Sequence, residues 1–159
     1  MSGNAEKGIR WGSVTLGWLV AVVVGALISL LLSGLYGLVD GLPAGSGELT
    51  AGFVVISLVS GFLAYLAGGF VAARSAGYSG GLNGAMTAVF GLILGLVVGA
   101  ILTVLGVTFA EGVAMPPANF GLASGVLLAG LVLFLVNLFG GFVGGKLGEP
   151  SRPEIRRSG

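Results

Sequence analysis

The sequence predicts an all-α, polytopic membrane protein with four transmembrane helices. Two observations predict this class: 55% of the 159 residues are hydrophobic, and only seven basic and six acidic residues occur. The mean hydropathy is +1.08. Soluble domains differ, because roughly a quarter of their residues are charged to maintain a hydrated surface. We therefore expect lipid, rather than water, to surround most of this chain.

The charged residues divide the chain into four uncharged stretches, which predict the individual helices. These stretches cover residues 11–39, 49–73, 75–110 and 112–145. A helix needs about 20 apolar residues to cross hydrocarbon about 30 Å thick, so each stretch accommodates one helix. The predicted transmembrane helices lie at about 12–38, 50–73, 82–107 and 120–146. In this prediction, residues 1–11 precede the helices and residues 147–159 form a flexible tail.

The positions of the basic residues predict the orientation of the helices. Lys and Arg accumulate in short cytoplasmic segments because they resist translocation. The basic residues fall before the first predicted helix, between the second and third, or from the end of the fourth onward: Lys7, Arg10, Arg74, Lys146, Arg152, Arg156 and Arg157. The only charged residues in the loops on the other side are acidic: Asp40, Glu48 and Glu111. We therefore expect a cell-membrane protein with both termini in the cytoplasm.

A repeat becomes visible when the chain is shifted by 72 residues. Residues 62–74 (FLAYLAGGFVAAR) and 134–146 (FLVNLFGGFVGGK) are identical at seven of 13 positions. Upstream the match is limited to pairs such as Trp18 with Phe90. We interpret the repeat as two tandem helical hairpins related by an axis along the membrane normal. The alternative is convergence of two glycine-rich helix ends.

Small residues recur at intervals of four along the predicted helices. Residues four apart share one helix face, which here lacks large side chains and allows another backbone to approach closely. The residues expected to serve in helix packing are Gly17, Gly25, Gly91, Gly95, Gly99, Gly140 and Gly144. Their partners are either other helices of the same bundle or a second copy. The adjacent pairs Gly68–Gly69 and Gly140–Gly141 are also candidate positions for helix bending.

The polar residues in the predicted helices suggest a role in helix packing more than in transport or catalysis. No charge lies in the helix interiors, which argues against an ion pump or a proton-coupled transporter. Asn137 and Tyr65 occupy equivalent repeat positions and are candidates for an interhelical polar contact, either as structural glue or as a hydrogen-bonding site. A weakly polar seam between the first two helices consists of Ser29, Ser33, Ser57 and Ser60.

Polar residues at the predicted helix ends have structural interpretations. Arg74 and Lys146 are expected to anchor the second and fourth helices at the membrane interface, where long basic side chains reach the headgroups. Asn83 is expected to be the N-cap of the third helix.

The composition excludes several functions. There is no cysteine and no histidine, which removes thiolate and imidazole ligands for metals and haem. The net charge of +1 is too small to attract nucleic acid. We predict no catalytic residue, no cofactor site and no metal site.

The four glycine-rich spans, with GGFVAAR at 68–74 and GGFVGGK at 140–146, resemble small bacterial or archaeal four-span membrane proteins of unknown function. The resemblance covers most of the chain and implies the topology alone. From the residues themselves we expect a non-enzymatic structural or accessory subunit in the lipid bilayer. It would assemble by helix packing, as a homo-oligomer or in a larger membrane complex. The alternative is a small oligomeric transporter or a passive pore.

Overall fold

The computed structural model describes residues 8–40, 51–104 and 124–150. In these residues the chain forms four helices: α1 (Trp11–Asp40), α2 (Ala51–Ala76), α3 (Gly80–Val104) and α4 (Ser124–Gly148). Each helix is long and apolar enough to cross a membrane. The predicted helical class and the four long apolar helices are therefore confirmed for the described part of the chain.

Five helix ends extend beyond the predicted boundaries, including both ends of α1, which begins at Trp11 and ends at Asp40. α2 continues to Ala76, α3 begins at Gly80, and α4 continues to Gly148, which places the first two residues of the predicted tail in the helix. Arg74 and Lys146 lie in the last turns of α2 and α4, where a cation interacts favourably with the terminal carbonyl groups. The predicted loop residues Glu48 and Glu111, and the tail from 151 to 159, lie outside the described residues.

A turn of residues 77–79 joins α2 to α3. Gly77 has a φ of 77°, a left-handed conformation that glycine adopts without strain, and its N–H donates to the carbonyl oxygen of Ala73 at 3.0 Å. Because this connection is so short, α2 and α3 are antiparallel neighbours.

α2 and α3 form the centre of the bundle. Both contact α1 and α4 as well as each other, whereas α1 and α4 do not contact one another within the described residues. α1 and α4 therefore lie on opposite sides of the α2–α3 pair. We call the end of the bundle that carries Arg10, Arg74 and Lys146 the basic end, and the opposite end the distal end.

Close packing extends from the basic end to about the middle of the helices. Val14, Asn83 and Thr87, all near the basic end, are fully buried. Large apolar side chains point outward at both ends of the bundle, with Leu147 65% exposed near the basic end and Leu30 71% exposed toward the distal end. Such surfaces are suited to contact with hydrocarbon.

Candidate functional site: a glycine-lined helix interface

α1 and α2 meet at Gly17 and Gly68. A Cβ atom added to either glycine would lie 2.5 Å from the carbonyl oxygen of the other. Farther toward the distal end, a Cβ added to Gly25 would lie 3.1 Å from the Cβ of Ala64. Any side chain at Gly17 or Gly68 would therefore push the two helices apart.

α3 and α4 meet in the same way nearer the basic end. Gly84 faces Gly141, and Gly80 faces Gly145. In both pairs, a Cβ added to one glycine would overlap the carbonyl oxygen of the other. The α1–α2 and α3–α4 contacts thus both depend on backbone approaching backbone.

α2 and α4 run parallel and make the longest backbone contact. Three glycines of α4, four residues apart, lie on three carbonyl oxygens of α2, also four residues apart. The pairs are Gly140 with Phe62, Gly144 with Leu66, and Gly148 with Phe70. The contact extends over about two helical turns. No Cβ fits at these glycines without moving the backbone of α2.

Adjacent glycines allow one helix to approach two neighbours. Successive helical residues point about 100° apart, so a pair of glycines clears two different faces. Gly68 faces α1, whereas Gly69 faces Gly141 of α4. Gly140 faces α2, whereas Gly141 also faces α3. Both pairs lie within the uninterrupted helices α2 and α4 and pack against neighbouring helices.

The glycines predicted to pack have different surroundings. Gly17, Gly25, Gly140 and Gly144 face another helix backbone or a small side chain, as described above. Gly91 of α3 lies instead against the hydroxyl of Tyr65 and the indole of Trp18. A Cβ added to Gly95 would meet nothing within 4 Å, and Gly99 is partly buried one turn farther along. Within the described residues, Gly95 therefore makes no close contact with another helix.

Asn83 connects the start of α1 to the turn between α2 and α3. Its side chain has no exposed surface. Its Oδ1 accepts a hydrogen bond from the Arg10 N–H at 2.8 Å, and its Nδ2 donates to the carbonyl oxygens of Tyr78 and Ser79 at 3.1 and 3.2 Å. The Arg10 guanidinium adds a bond to the carbonyl oxygen of Ser75 at 3.1 Å. The buried amide is thus satisfied on both sides.

The prediction that Asn83 is the N-cap of the third helix is wrong. α3 begins at Gly80, and the Ser79 carbonyl accepts a helical bond from the Asn83 N–H at 3.0 Å. Asn83 caps a different helix. The Arg10 carbonyl accepts a bond from the Val14 N–H at the start of α1, and the Asn83 side chain accepts the Arg10 N–H, for which α1 has no acceptor.

Asn137 and Tyr65, the predicted polar contacts, lie against different helices. The Oδ1 of Asn137 lies against Gly61 of α2, and the Tyr65 hydroxyl lies against Gly91 of α3. The Asn137 Oδ1 is buried and has no hydrogen-bond partner. Asn137 thus fills space between α2 and α4, but its oxygen makes no interhelical hydrogen bond.

Ser60, next to Gly61, lies at the same level as Asn137. It is 3% exposed, and its Oγ has no hydrogen-bond partner. Ser60 precedes Ala64 by four residues, so it lies on the α2 face that packs against α1. Of the other residues of the predicted seam, Ser29 and Ser57 are partly buried, and the side chain of Ser33 lies outside the described residues.

Arg74 and Lys146, the predicted interface anchors, are exposed at the basic end. The Arg74 guanidinium lies 5.9 Å from the centroid of the Phe70 ring, and the Lys146 Nζ lies 3.8 Å from a carboxylate oxygen of Glu149. Both positions suit basic side chains that reach the headgroup region from the end of an apolar helix.

The described residues make close backbone contacts between helices, and they form interhelical hydrogen bonds at the basic end. Within 8–40, 51–104 and 124–150, no group of three or more His, Cys, Asp or Glu residues could hold a metal ion. No protein-family model, no curated protein and no solved structure matches the chain. The fold itself places the chain in a class: four helices that can each span a membrane suggest a multi-pass membrane protein.

Proposed function

We propose that this chain is a non-enzymatic, multi-pass protein of the cell membrane that acts as a structural or accessory subunit. It assembles by packing small-residue helix faces against a second copy or a larger membrane complex. The observation that carries the proposal is the open α3 face at Gly95, in a chain whose other small-residue faces pack closely, as Gly140, Gly144 and Gly148 do on the carbonyl groups of α2. In lipid, helices gain little from hydrophobic burial against each other, so this kind of surface determines which helices associate.

Gly95 supports assembly with another molecule. A Cβ added there would meet nothing within 4 Å, and the neighbouring Leu92, Ile93 and Leu96 are exposed. Gly91, four residues earlier, is covered by the Tyr65 side chain of the same chain. The α3 surface at Gly95 therefore has room for a helix of a partner.

The proposed orientation places both termini in the cytoplasm. Arg10, Arg74 and Lys146 all lie at the basic end, and basic residues are retained on the cytoplasmic side. A reporter enzyme fused after Gly159 is expected to be active only in the cytoplasm. Activity of that reporter outside the cell would contradict this orientation.

The proposed origin of the bundle is duplication of a helical hairpin. In support, two pairs of residues separated by the repeat length of 72 are in contact: Gly69 with Gly141, and Trp18 with Phe90, whose ring centroids are 5.7 Å apart. Equivalent residues meet in this way near a two-fold axis. The two hairpins have diverged in their packing. Gly84 faces Gly141, whereas a Cβ added to Gly12, the equivalent of Gly84 in the first hairpin, would meet nothing within 4 Å. An experimental structure whose hairpins did not superpose would contradict duplication.

The test of the subunit proposal is the assembly state after extraction in a mild detergent. Size-exclusion chromatography with light scattering is expected to show an oligomer or a complex with a stoichiometric partner. Gly95→Leu should reduce that species, because its side chain fills the open α3 surface. Gly34→Leu is the matched control: Gly34 also has nothing within 4 Å but lies outside the four-residue series of α1. A monomeric wild type without a partner would refute the proposal.

A small oligomeric transporter or passive pore is the second candidate. The observation that favours it is the pair of buried, unpartnered oxygens, Ser60 Oγ and Asn137 Oδ1. An unpaired buried acceptor costs about 1–3 kcal/mol, and water in a path through an oligomer would remove that cost. Solute flux through liposomes containing the purified protein, lost in Asn137→Ala, would establish the pore and refute the subunit role. Co-purification with a partner, without flux, would refute the pore.

A further inference from the structure

A groove at the basic end, between the start of α3 and the end of α4, carries both a positive and a negative charge. Its volume is about 330 Å³. Lys146 and Glu149 form its polar side, and Leu82 and Phe142 form its apolar side. Tyr78 also lines the groove. The groove thus has a polar region beside an apolar wall, at the end of a membrane-spanning bundle. These two parts match the polar headgroup and the apolar chains of a lipid molecule at the membrane interface.

The two charged groups of the groove remain available to a ligand. The Lys146 Nζ lies 3.8 Å from the Glu149 carboxylate, whereas charge-assisted hydrogen bonds between such groups are about 2.7–2.9 Å long. The Lys146 side chain is 61% exposed and that of Glu149 is 34% exposed. The ammonium retains N–H groups to donate, and the carboxylate retains lone pairs to accept.

Gly81 determines where the Lys146 side chain lies. A Cβ added to Gly81 would lie 2.9 Å from the Phe142 ring and 3.1 Å from the Lys146 Cε. The aromatic ring and the lysine stem thus rest on the bare backbone of α3. This contact holds the ammonium beside the apolar wall.

We propose that this groove binds the headgroup of a zwitterionic aminophospholipid, a phosphodiester that also carries a primary ammonium, as in phosphatidylethanolamine. The phosphate accepts hydrogen bonds from Lys146, and the ammonium donates to Glu149. The acyl chains lie along Leu82 and Phe142, which are 45% and 44% exposed.

Charge complementarity selects this headgroup over others. The groove contributes one positive and one negative group, so a neutral headgroup with both charges satisfies each of them. An anionic headgroup such as phosphatidylglycerol meets repulsion from Glu149. A choline headgroup has no N–H to donate to the carboxylate. The proposal does not depend on the subunit role, because it requires only that the basic end lies at a membrane surface.

Native mass spectrometry of the detergent-solubilised full chain tests the proposal. The protein is equilibrated with equal amounts of phosphatidylethanolamine, phosphatidylglycerol and phosphatidylcholine of identical acyl chains. The wild type is expected to retain phosphatidylethanolamine at least about threefold better than either competitor, the effect of one exposed ion pair. Lys146→Gln should weaken retention of all three lipids at least about threefold, because Lys146 binds the phosphate that they share. Glu149→Gln should reverse it in favour of phosphatidylglycerol.

Two further variants separate the groove from general basic character. Gly81→Ala leaves the charge unchanged but displaces Phe142 and Lys146, so it should weaken retention of phosphatidylethanolamine. Arg74→Gln removes an exposed cation of the basic end that does not line the groove, so the wild-type preference should remain. Circular dichroism confirms that each variant is helical.

Equal retention of the three lipids by the wild type would overturn the proposal. So would a wild-type preference for phosphatidylglycerol, which would identify the basic end as a simple cationic anchor. If Lys146→Gln fails to fold, Glu149→Gln decides alone, because the expected result is a reversal of preference rather than a loss.

Discussion

The basic-end half and the distal half of the bundle consist of the same four helices, yet within residues 8–40, 51–104 and 124–150 only the first is closely packed. Near the basic end, Gly69, Gly84 and Gly141 bring α2, α3 and α4 into backbone contact. In the distal half, Gly34 and Gly95 have nothing within 4 Å of an added Cβ. Glycine content alone therefore does not produce packing.

The two halves differ in how their glycines are arranged. All four glycine pairs of the chain lie near the basic end: Gly68–Gly69, Gly80–Gly81, Gly140–Gly141 and Gly144–Gly145. In the described distal half, glycines occur singly. A single glycine clears one helix face, whereas a pair clears two faces about 100° apart. A helix inside a bundle needs two such faces, because it has at least two neighbours.

Gly141→Leu is expected to have the largest effect, because Gly141 contributes to both the α2 and the α3 contacts. A leucine there must displace rigid backbone, so we expect a loss of at least about 3 kcal/mol in the free energy of unfolding, the upper part of the range for overpacking. Titration with SDS in mixed micelles, followed by circular dichroism, measures this loss. Gly34→Leu makes the same chemical change in the distal half and should cost less than about 0.5 kcal/mol. Equal losses would refute the contrast between the halves.

Asn83→Ala is expected to have the next largest effect and tests the hydrogen bonds that close the basic end. The substitution leaves the Tyr78 carbonyl and the Arg10 N–H without their partner, at a cost of about 1–3 kcal/mol, while the Ser79 carbonyl keeps its bond from the backbone N–H of residue 83. The same SDS titration measures it. Thr87→Val is the control: it removes a buried hydroxyl that bonds only within α3, at 3.1 Å to the Asn83 carbonyl, and keeps the side-chain shape. If Thr87→Val cost as much as Asn83→Ala, burial rather than the connection to α1 would explain the loss.

The sequence predicted the helices well because their cause is local. A long uncharged stretch must satisfy its backbone within itself in lipid, and only a helix does so. The spacing of four likewise found Gly17, Gly140 and Gly144, because residues on one helix face depend only on helical geometry.

The partners of each face could not be predicted in the same way. Gly91 and Gly95 belong to one series, but only Gly91 is covered, because the Tyr65 side chain reaches it from another helix. From the sequence Asn83 resembles the N-cap of its own helix, yet its side-chain oxygen accepts a hydrogen bond from the N–H of Arg10, 73 residues away. A local signal nevertheless exists: in three of the four adjacent glycine pairs, the two glycines face different helices.

The boundary between the two halves lies at the level of Ser60 and Asn137. Both side chains bury an oxygen atom without a hydrogen-bond partner. Toward the basic end from this level, the helices meet through glycine and alanine, whereas toward the distal end Gly34 and Gly95 have nothing within 4 Å of an added Cβ. The orphaned oxygens therefore lie where close packing ends.

Asn137→Ala is expected to have the smallest effect and tests whether this boundary is held by polar contact. Removing an unpaired acceptor relieves its desolvation cost while losing the contact with Gly61, so we expect a change in unfolding free energy below about 1 kcal/mol. Gly61→Ala should be costly in the wild type, where its Cβ overlaps the Asn137 Oδ1, and nearly neutral beside Asn137→Ala. A coupling of at least about 0.5 kcal/mol in this double-mutant cycle would show that the contact is steric. Destabilisation by more than about 2 kcal/mol in Asn137→Ala alone would instead indicate that the amide forms a hydrogen bond between α2 and α4. In that case, the polar contact of Asn137 would determine where close packing ends.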